Sequence, residues 1–119
     1  MINMTQQDKE LLEQNGFDIK GAMKRFLNNE ALYKQCLDKF LTDQSFHNLK
    51  QALSLNDCQK AFHEAHTMKG FVSNLGMQEL YEAVSVIVEK LRAGDMNVAV
   101  QMQLLEELYE KDYQLIRNL

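Results

Sequence analysis

Apolar residues recur at alternating spacings of three and four along most of the chain, which is the period of an α-helix that buries one face. In the middle of the sequence one such stripe is formed by Cys58, Ala61, Ala65, Met68, Val72 and Leu75. It predicts a long helix from Asp57 to Leu75, with Gly76 as a left-handed stop. Asn56, followed at the third position by Gln59, matches a capping box and predicts the start of this helix.

Shorter helices are predicted before this segment. Thr5 and Asp8 form a capping pair for a first short helix that stops before residue 16, and Asp18 can cap a second one. A third helix, capped by Asn29, extends to about residue 41. After a polar break at residues 42–45, a fourth helix extends to about residue 55.

Two longer helices are predicted after the central one. The first covers about residues 77–93 and is closed by Gly94, and the second, capped by Asp95 or Asn97, extends nearly to the end of the chain. The last helix is expected to bury Val98, Met102, Leu105, Leu108, Tyr109, Leu115 and Ile116. Because helices joined by short loops run antiparallel and four of them can share a core, we predict an all-α fold. Its architecture is an antiparallel up-and-down four-helix bundle with a short N-terminal helical extension.

Composition agrees with a single helical domain over residues 1–119. The chain has 119 residues, 45% of them hydrophobic, with no proline and five glycines that mostly fall where helices should end. A net charge of −4 and a pI near 5.3 provide no electrostatic basis for binding nucleic acid. An acidic surface therefore points to protein partners or to none. We also expect a monomer.

The first ten residues lack a basic start followed by an apolar run, so no secretory signal is predicted. No stretch of about 18 apolar residues could cross a bilayer. These features predict a cytoplasmic protein without a membrane segment. Cys36 and Cys58 lie on apolar helix faces, where reduced thiols act as small hydrophobes, and a disulfide or a zinc site is the less favoured alternative.

His66 lies on the other side of the central helix. At about 100° per residue it is well away from the apolar stripe, and we expect it to face water. The neighbours expected on that face are Gln59, Phe62, His63, Lys69, Gly70 and Ser73. A glycine inside a helix costs about 1 kcal/mol relative to alanine, so Gly70 indicates that something approaches the helix there. Lys69 can offset the charge of an anion at the same place, and a phosphoryl group on the imidazole fits this description.

The segment His66-Thr67-Met68-Lys69-Gly70, continued by Leu75-Gly76, resembles the signature of histidine-containing phosphotransfer (HPt) domains. The resemblance covers about residues 15–118, and Phe71 and Val72 depart from it because the family commonly has small residues there. It implies that His66 is phosphorylated, that Lys69 stabilises the phosphate charge and that Gly70 provides steric access. Phe62 is a candidate docking contact, together with Gln59, His63 and Ser73, and Phe17, Ile19 and Met23 could extend that surface.

By this resemblance the protein is a phosphorelay intermediate. It would accept a phosphoryl group from a receiver-domain aspartate and pass it to another receiver domain. Its partners would be receiver domains of response regulators or of a hybrid histidine kinase, and the receiver would supply magnesium. The chain has no glycine-rich phosphate loop and no nucleotide-binding pattern, so we expect a phosphocarrier without kinase activity and without a cofactor of its own.

Other interpretations of the same residues remain open. His66 could be a surface histidine without a role, or the face could belong to a helical adaptor that docks a receiver domain or histidine kinase without being phosphorylated. His63, Glu64 and His66 could suggest a metal site, but they lack the spacing of two histidines four residues apart around a glutamate. We therefore predict no metal site.

Overall fold

The computed structural model describes residues 4–119, which form seven α-helices and no strand. The helices are α1 (Gln6–Gln14), α2 (Ile19–Arg25), α3 (Glu30–Phe40), α4 (Ser45–Ser54), α5 (Cys58–Asn74), α6 (Gln78–Arg92) and α7 (Ala99–Arg117). The predicted all-α class is confirmed. Residues 1–3, part of the segment on which the prediction of no secretory signal depends, lie outside the described range.

The bundle is built from four columns. Successive helices from α4 to α7 pack against one another, and α7 also packs against α3. The α3 and α4 helices both lie along α5 and together form the first column. In α3, the Tyr33 hydroxyl donates to the carbonyl of Leu75 and the Phe40 ring contacts Phe71, and α4 packs directly against α5. The resulting body measures 43 × 24 × 22 Å, as expected for long helices packed side by side.

The N-terminal extension is attached at the turn between α5 and α6. Gly76 has a φ of +76°, and the backbone N–H of Asp18 donates to its carbonyl at 2.8 Å. The Arg25 side chain donates to the carbonyl of Asn74 at 3.1 Å, so α2 also covers the end of α5. Phe17 and Ile19 are each only 4% exposed because they pack into the core here, and they therefore do not extend a docking surface as predicted.

The predicted capping box at Asn56 and Gln59 is wrong. Asn56 has a φ of +56° and belongs to the end of α4, where the N–H of Asp57 bonds the carbonyl of Ala52. This is the Schellman arrangement that closes a helix with a left-handed residue, a conformation that asparagine tolerates. The side chain of Asp57 is the actual cap of α5, and it accepts from the N–H of Lys60.

The start of α7 also differs from the prediction. Its N-cap is Val98, which provides no side-chain cap, while Asp95 accepts from the N–H of Asn97 inside the loop and pairs with Lys90. Of the apolar residues expected inside α7, three are fully buried and four are half-buried: Val98, Leu105 and Ile116, then Met102, Leu108, Tyr109 and Leu115. The buried set also includes a carboxylate, Asp112, which the apolar pattern did not predict.

Two further observations concern the whole chain. Cys36 and Cys58 are free thiols. The sequence predicts them as buried residues of apolar helix faces, and the structure places both at half-buried positions. Among residues 4–119, no helix combines the length and the apolar character that crossing a bilayer requires.

Candidate functional site

His66 lies in the middle of α5, on the face that the bundle leaves open. The opposite face of α5 buries Ala61, Ala65, Met68 and Val72. The residues predicted to surround His66 do share its face. Two of them, Phe62 and Lys69, are half-buried, and the others are exposed: Gln59, His63, Gly70 and Ser73.

Gly70 leaves an open volume one turn from the imidazole. Apart from its two chain neighbours and the backbone of its own helix, no described atom lies within 4 Å of a Cβ built at this position. Its φ is in the ordinary helical region, so neither internal packing nor backbone geometry requires a glycine here. The helix therefore bears the cost of a glycine where only a molecule from outside would occupy the space.

The imidazole of His66 rests against an aromatic ring. The Phe62 ring lies one turn earlier on α5, with its centroid 5.8 Å from that of His66 and an interplanar angle of 15°. On α6, the guanidinium carbon of Arg92 is 5.2 Å from the centre of the same phenyl ring. Arg92 also pairs with Glu89 at 3.4 Å. Phe62 thus contacts both the histidine and a cation of the neighbouring helix.

Lys69 is placed on the other side of the same face. Its ammonium nitrogen lies 5.8 Å from the ring centre of Tyr81 on α6, which is within the range of a cation–π contact. No acidic residue among residues 4–119 forms an ion pair with Lys69. Its positive charge is therefore not neutralised within the described chain, and it lies one turn from the imidazole.

The sequence interpretation did not identify the two α6 residues. Tyr81 and Arg92 are eleven residues apart, which is about three helical turns, so they lie on the same face of α6. That spacing was visible in the sequence, but which helix packs beside the His66 face was not. Periodicity indicates which side of a helix is buried and leaves open its neighbour in the bundle.

The described residues contain no group of three or more histidine, cysteine, aspartate or glutamate side chains arranged to hold a metal ion. His63 and Glu64 therefore do not form a ligand set with His66 in this structure. The site presents an exposed nitrogen nucleophile, a cation and an open volume, and this combination suits the transfer of an anionic group supplied by another molecule.

Comparison with known families identifies a matching family model. A family model described as Hpt domain matches residues 35–117, a range that includes most of α3, the other bundle helices and His66. Residues 15–34, which also carry the resemblance predicted from sequence, lie outside the matched range. The comparison with curated proteins and the comparison with solved structures each give no match.

Proposed function

The chain belongs to the Hpt domain family, and from this premise we propose that His66 carries phosphoryl groups between two receiver domains. The general role of the family is histidine phosphotransfer in a phosphorelay, as a phosphocarrier and not as a kinase. The partners of the family are receiver domains and kinases of two-component systems. The assignment of the donor and the acceptor as receiver aspartates, and of His66 as the carrier, is the proposal.

One observation supports this proposal most directly: the exposed imidazole lies one turn from the open volume over Gly70. An aspartyl phosphate sits inside the active site of another protein, so the two surfaces must approach closely before the nitrogen can reach the phosphorus. A side chain at residue 70 would hold them apart. The missing side chain therefore matches a macromolecular donor better than a small one.

The transfer needs little chemistry from this chain. A lone pair of a His66 ring nitrogen attacks the phosphorus, an N–P bond forms, and the bond from phosphorus to the aspartate oxygen breaks, so that the carboxylate leaves. The second transfer is the reverse, with a new carboxylate as nucleophile. We propose that Lys69 offsets the charge of the phosphoryl oxygens and that the receiver supplies magnesium.

We propose that the receiver docks on the surface around His66. This docking surface comprises Gln59, Phe62, His63 and Ser73, which share the accessible face of α5. A single bundle presents this whole face, and we propose that the protein acts as a monomer. Mutation of these residues should weaken receiver binding without removing the nucleophile.

The test uses the purified protein mixed with a phosphorylated receiver domain and magnesium. The wild-type protein should gain a phosphoryl label that is lost in acid and kept in alkali, and His66→Gln should gain none. His63→Gln is the matched control, since this exposed histidine lies on the same face less than one turn away. It removes a docking contact without removing the nucleophile, so its label should form more slowly but to the same extent.

The outcome also separates the relay from an adaptor. A phosphorelay protein with His66→Gln should lose transfer and its biological effect while it still binds the receiver. An adaptor should keep both binding and effect. A label that persists on His66→Gln, or a wild-type protein that takes no label from any receiver, would overturn the proposed function.

A further inference from the structure

We propose that Phe62 is a positioning residue for phosphoryl transfer, which holds the imidazole of His66 in one orientation by stacking on its face. This inference rests on the proposed function of His66 and adds a role within the site. It differs from the docking role of Phe62, because it acts on the nucleophile before any partner arrives.

The geometry of the ring pair supports this role. The two rings are nearly parallel, at 15°, with centroids 5.8 Å apart, which is the range of an offset stack. An offset stack contacts the imidazole through part of one face and does not cap its edge. The nitrogen lone pairs lie in the ring plane, so a phosphorus atom must approach along that edge. Phe62 can therefore restrain the ring without obstructing the reaction.

Phe62 is itself restrained by its surroundings. It is half-buried and packs against the core, and its ring forms part of the wall of a surface cleft together with Cys58 and Leu91. Arg92 of α6 lies 5.2 Å from the ring centre. A side chain held by the core and by a neighbouring helix is a firmer support than an exposed one, because fewer rotamers are open to it.

The benefit is an orientation set in advance. An exposed histidine normally samples several rotamers, and only some of them direct a ring nitrogen outward from the helix. Attack requires the nitrogen, the phosphorus and the leaving oxygen to lie nearly in line. If the stack selects the competent rotamer, fewer encounters fail, and the rate of the chemical step rises while the affinity for the partner is unchanged.

A small phosphoryl donor separates positioning from docking. Phosphoramidate has no protein surface, so a slower reaction cannot result from lost receiver contacts. In this reaction a ring nitrogen of His66 attacks phosphorus, the N–P bond of the donor breaks, and ammonia leaves with a proton. Site-resolved mass spectrometry at alkaline pH reports the label on His66 separately from labels on the other histidines.

The variants are Phe62→Leu, which removes the ring, and Phe62→Tyr, which keeps it. Tyr113→Leu is the matched control, because it removes a half-buried ring that stacks on Tyr109 of α7. We expect Phe62→Leu to slow labelling of His66 by about 3- to 10-fold, and the other two variants to stay within about 2-fold of wild type. Thermal unfolding of each variant verifies that the fold is retained.

The results distinguish this inference from the proposed function. Labelling of Phe62→Leu at the wild-type rate overturns the positioning role, even if its transfer from a receiver is slowed, because Phe62 would then act only in docking. Absence of a label from both donors on the wild-type protein overturns the proposed function. A measurement on the unmodified protein tests the stack directly: NMR cross-relaxation between ring protons of Phe62 and His66 is expected, and its absence overturns the inference.

Discussion

At the scale of single residues, a substitution at Gly70 should change the stability of the protein and the rate of phosphoryl transfer in opposite directions. Among residues 4–119, an alanine Cβ at this position meets no atom within 4 Å apart from its two chain neighbours and its own helix backbone. Alanine favours a helix over glycine by about 1 kcal/mol. We expect Gly70→Ala to raise the free energy of unfolding by about 1 kcal/mol, measured with urea. The added methyl group should nevertheless slow transfer from a receiver by about 3- to 10-fold, because small displacements of reacting groups are costly.

The control for Gly70 is Thr67→Ala, an exposed position beside His66 on the same helix. It also improves helix propensity, by about 0.5 kcal/mol, without placing volume over the open site. Its transfer rate should equal that of wild type. If Gly70→Ala transfers as fast as Thr67→Ala, the open volume is not used by the partner, and the steric role of Gly70 is wrong.

Lys69 allows a second test at this scale. Lys69→Gln removes the positive charge but keeps much of the side-chain length. We expect the rate of phosphoryl transfer to fall by about 10-fold. A fully buried cation would contribute more, but Lys69 is only half-buried, so solvent screens part of its charge. Lys60→Gln removes an exposed lysine from another side of α5 and should have little effect. The difference between the two variants should shrink as salt is raised, measured from 50 mM to 500 mM. If both substitutions slow transfer equally, the effect comes from the net charge of the protein, and Lys69 has no specific role at the phosphate.

The predictable part of the site is the part on one helix. A period of 3.6 residues places His66, Lys69 and Gly70 on an open face without any knowledge of the other helices. Tyr81 and Arg92 reach this face from α6, across an interface whose rotation depends on how the side chains of both helices interlock. That rotation is a tertiary property, so the aromatic and cationic neighbours of the site could not be read from the local pattern.

At the scale of elements, two glycines with the same backbone conformation have different surroundings. Gly76 and Gly94 have φ values of +76° and +78°, and each ends a helix. A Cβ at Gly76 would lie 2.6 Å from the carbonyl oxygen of Asp18, whereas a Cβ at Gly94 meets nothing within 4 Å. The Leu-Gly pair of the motif thus has a structural explanation, because this glycine lets the N-terminal extension approach the α5–α6 turn.

Replacing each glycine separately by alanine distinguishes the cost of left-handed backbone strain from the cost of displacing the neighbouring backbone. Gly94→Ala should lower the free energy of unfolding by about 1 kcal/mol, the cost of a left-handed alanine. Gly76→Ala bears the same cost and also displaces Asp18, so we expect a loss of about 2 to 4 kcal/mol in total. Urea unfolding of both variants measures the difference. Equal losses would show that the extension moves aside freely and does not depend on this approach.

Tyr33 connects α3 to the end of α5. Its buried hydroxyl donates to the carbonyl of Leu75 at 2.7 Å, and burial raises the pKa of Tyr33 well above its ordinary value. Tyr33→Phe should leave that carbonyl without its partner and lower the free energy of unfolding by about 1 to 2 kcal/mol. Tyr113→Phe, in a half-buried tyrosine of α7, should cost less. A tyrosinate absorbance that develops fully below pH 11 would contradict the buried hydrogen bond.

The caps show where local signals compete. Asp18, Asn29 and the Thr5–Asp8 pair cap α2, α3 and α1 as predicted, since each lies between a clear break and a clear helix. Only three residues, 55–57, separate the end of α4 from the start of α5. Asn56 adopts the left-handed conformation that closes α4 and therefore does not cap α5. Asn56 can serve either as the C-terminal stop of α4 or as the N-cap of α5, and the local sequence is compatible with both.

At the scale of the whole molecule, the bundle was predictable because its helices are long, strongly periodic and joined by short connections. The exception is the alignment of α3 and α4 along one side of the bundle. The polar break at residues 42–45 predicts two separate helices, but the contacts that align them are made with residues distant in sequence. The ring centroid of Phe40 in α3 lies 4.9 Å from that of Tyr109 in α7, and the ring centroid of Phe46 in α4 lies 4.5 Å from that of the same tyrosine.

The buried carboxylate Asp112 makes the stability of the bundle depend on pH. Its side chain is 2% exposed and its Oδ1 has no hydrogen-bond partner among residues 4–119. Burial raises the pKa of Asp112 to about 7; Lys111 of the same helix lowers that pKa and Glu79 of α6 raises it. Lys111 and Glu79 pair with each other at 2.5 Å, so neither compensates the buried charge fully.

The sign of the pH effect follows from proton binding in the two states. Between an unfolded pKa near 4 and the folded value of about 7, the folded protein holds a proton on Asp112 that the unfolded chain has lost. Stability is therefore lost as pH rises through this window, by about 2 to 4 kcal/mol, and levels off above it. Asp112→Asn should make unfolding by urea nearly independent of pH between 5 and 8. Glu107 is an exposed acid of the same helix, so Glu107→Gln should keep the wild-type dependence of unfolding free energy on pH. If Asp112→Asn also keeps the wild-type dependence, Asp112 is ionised in the folded bundle throughout this range.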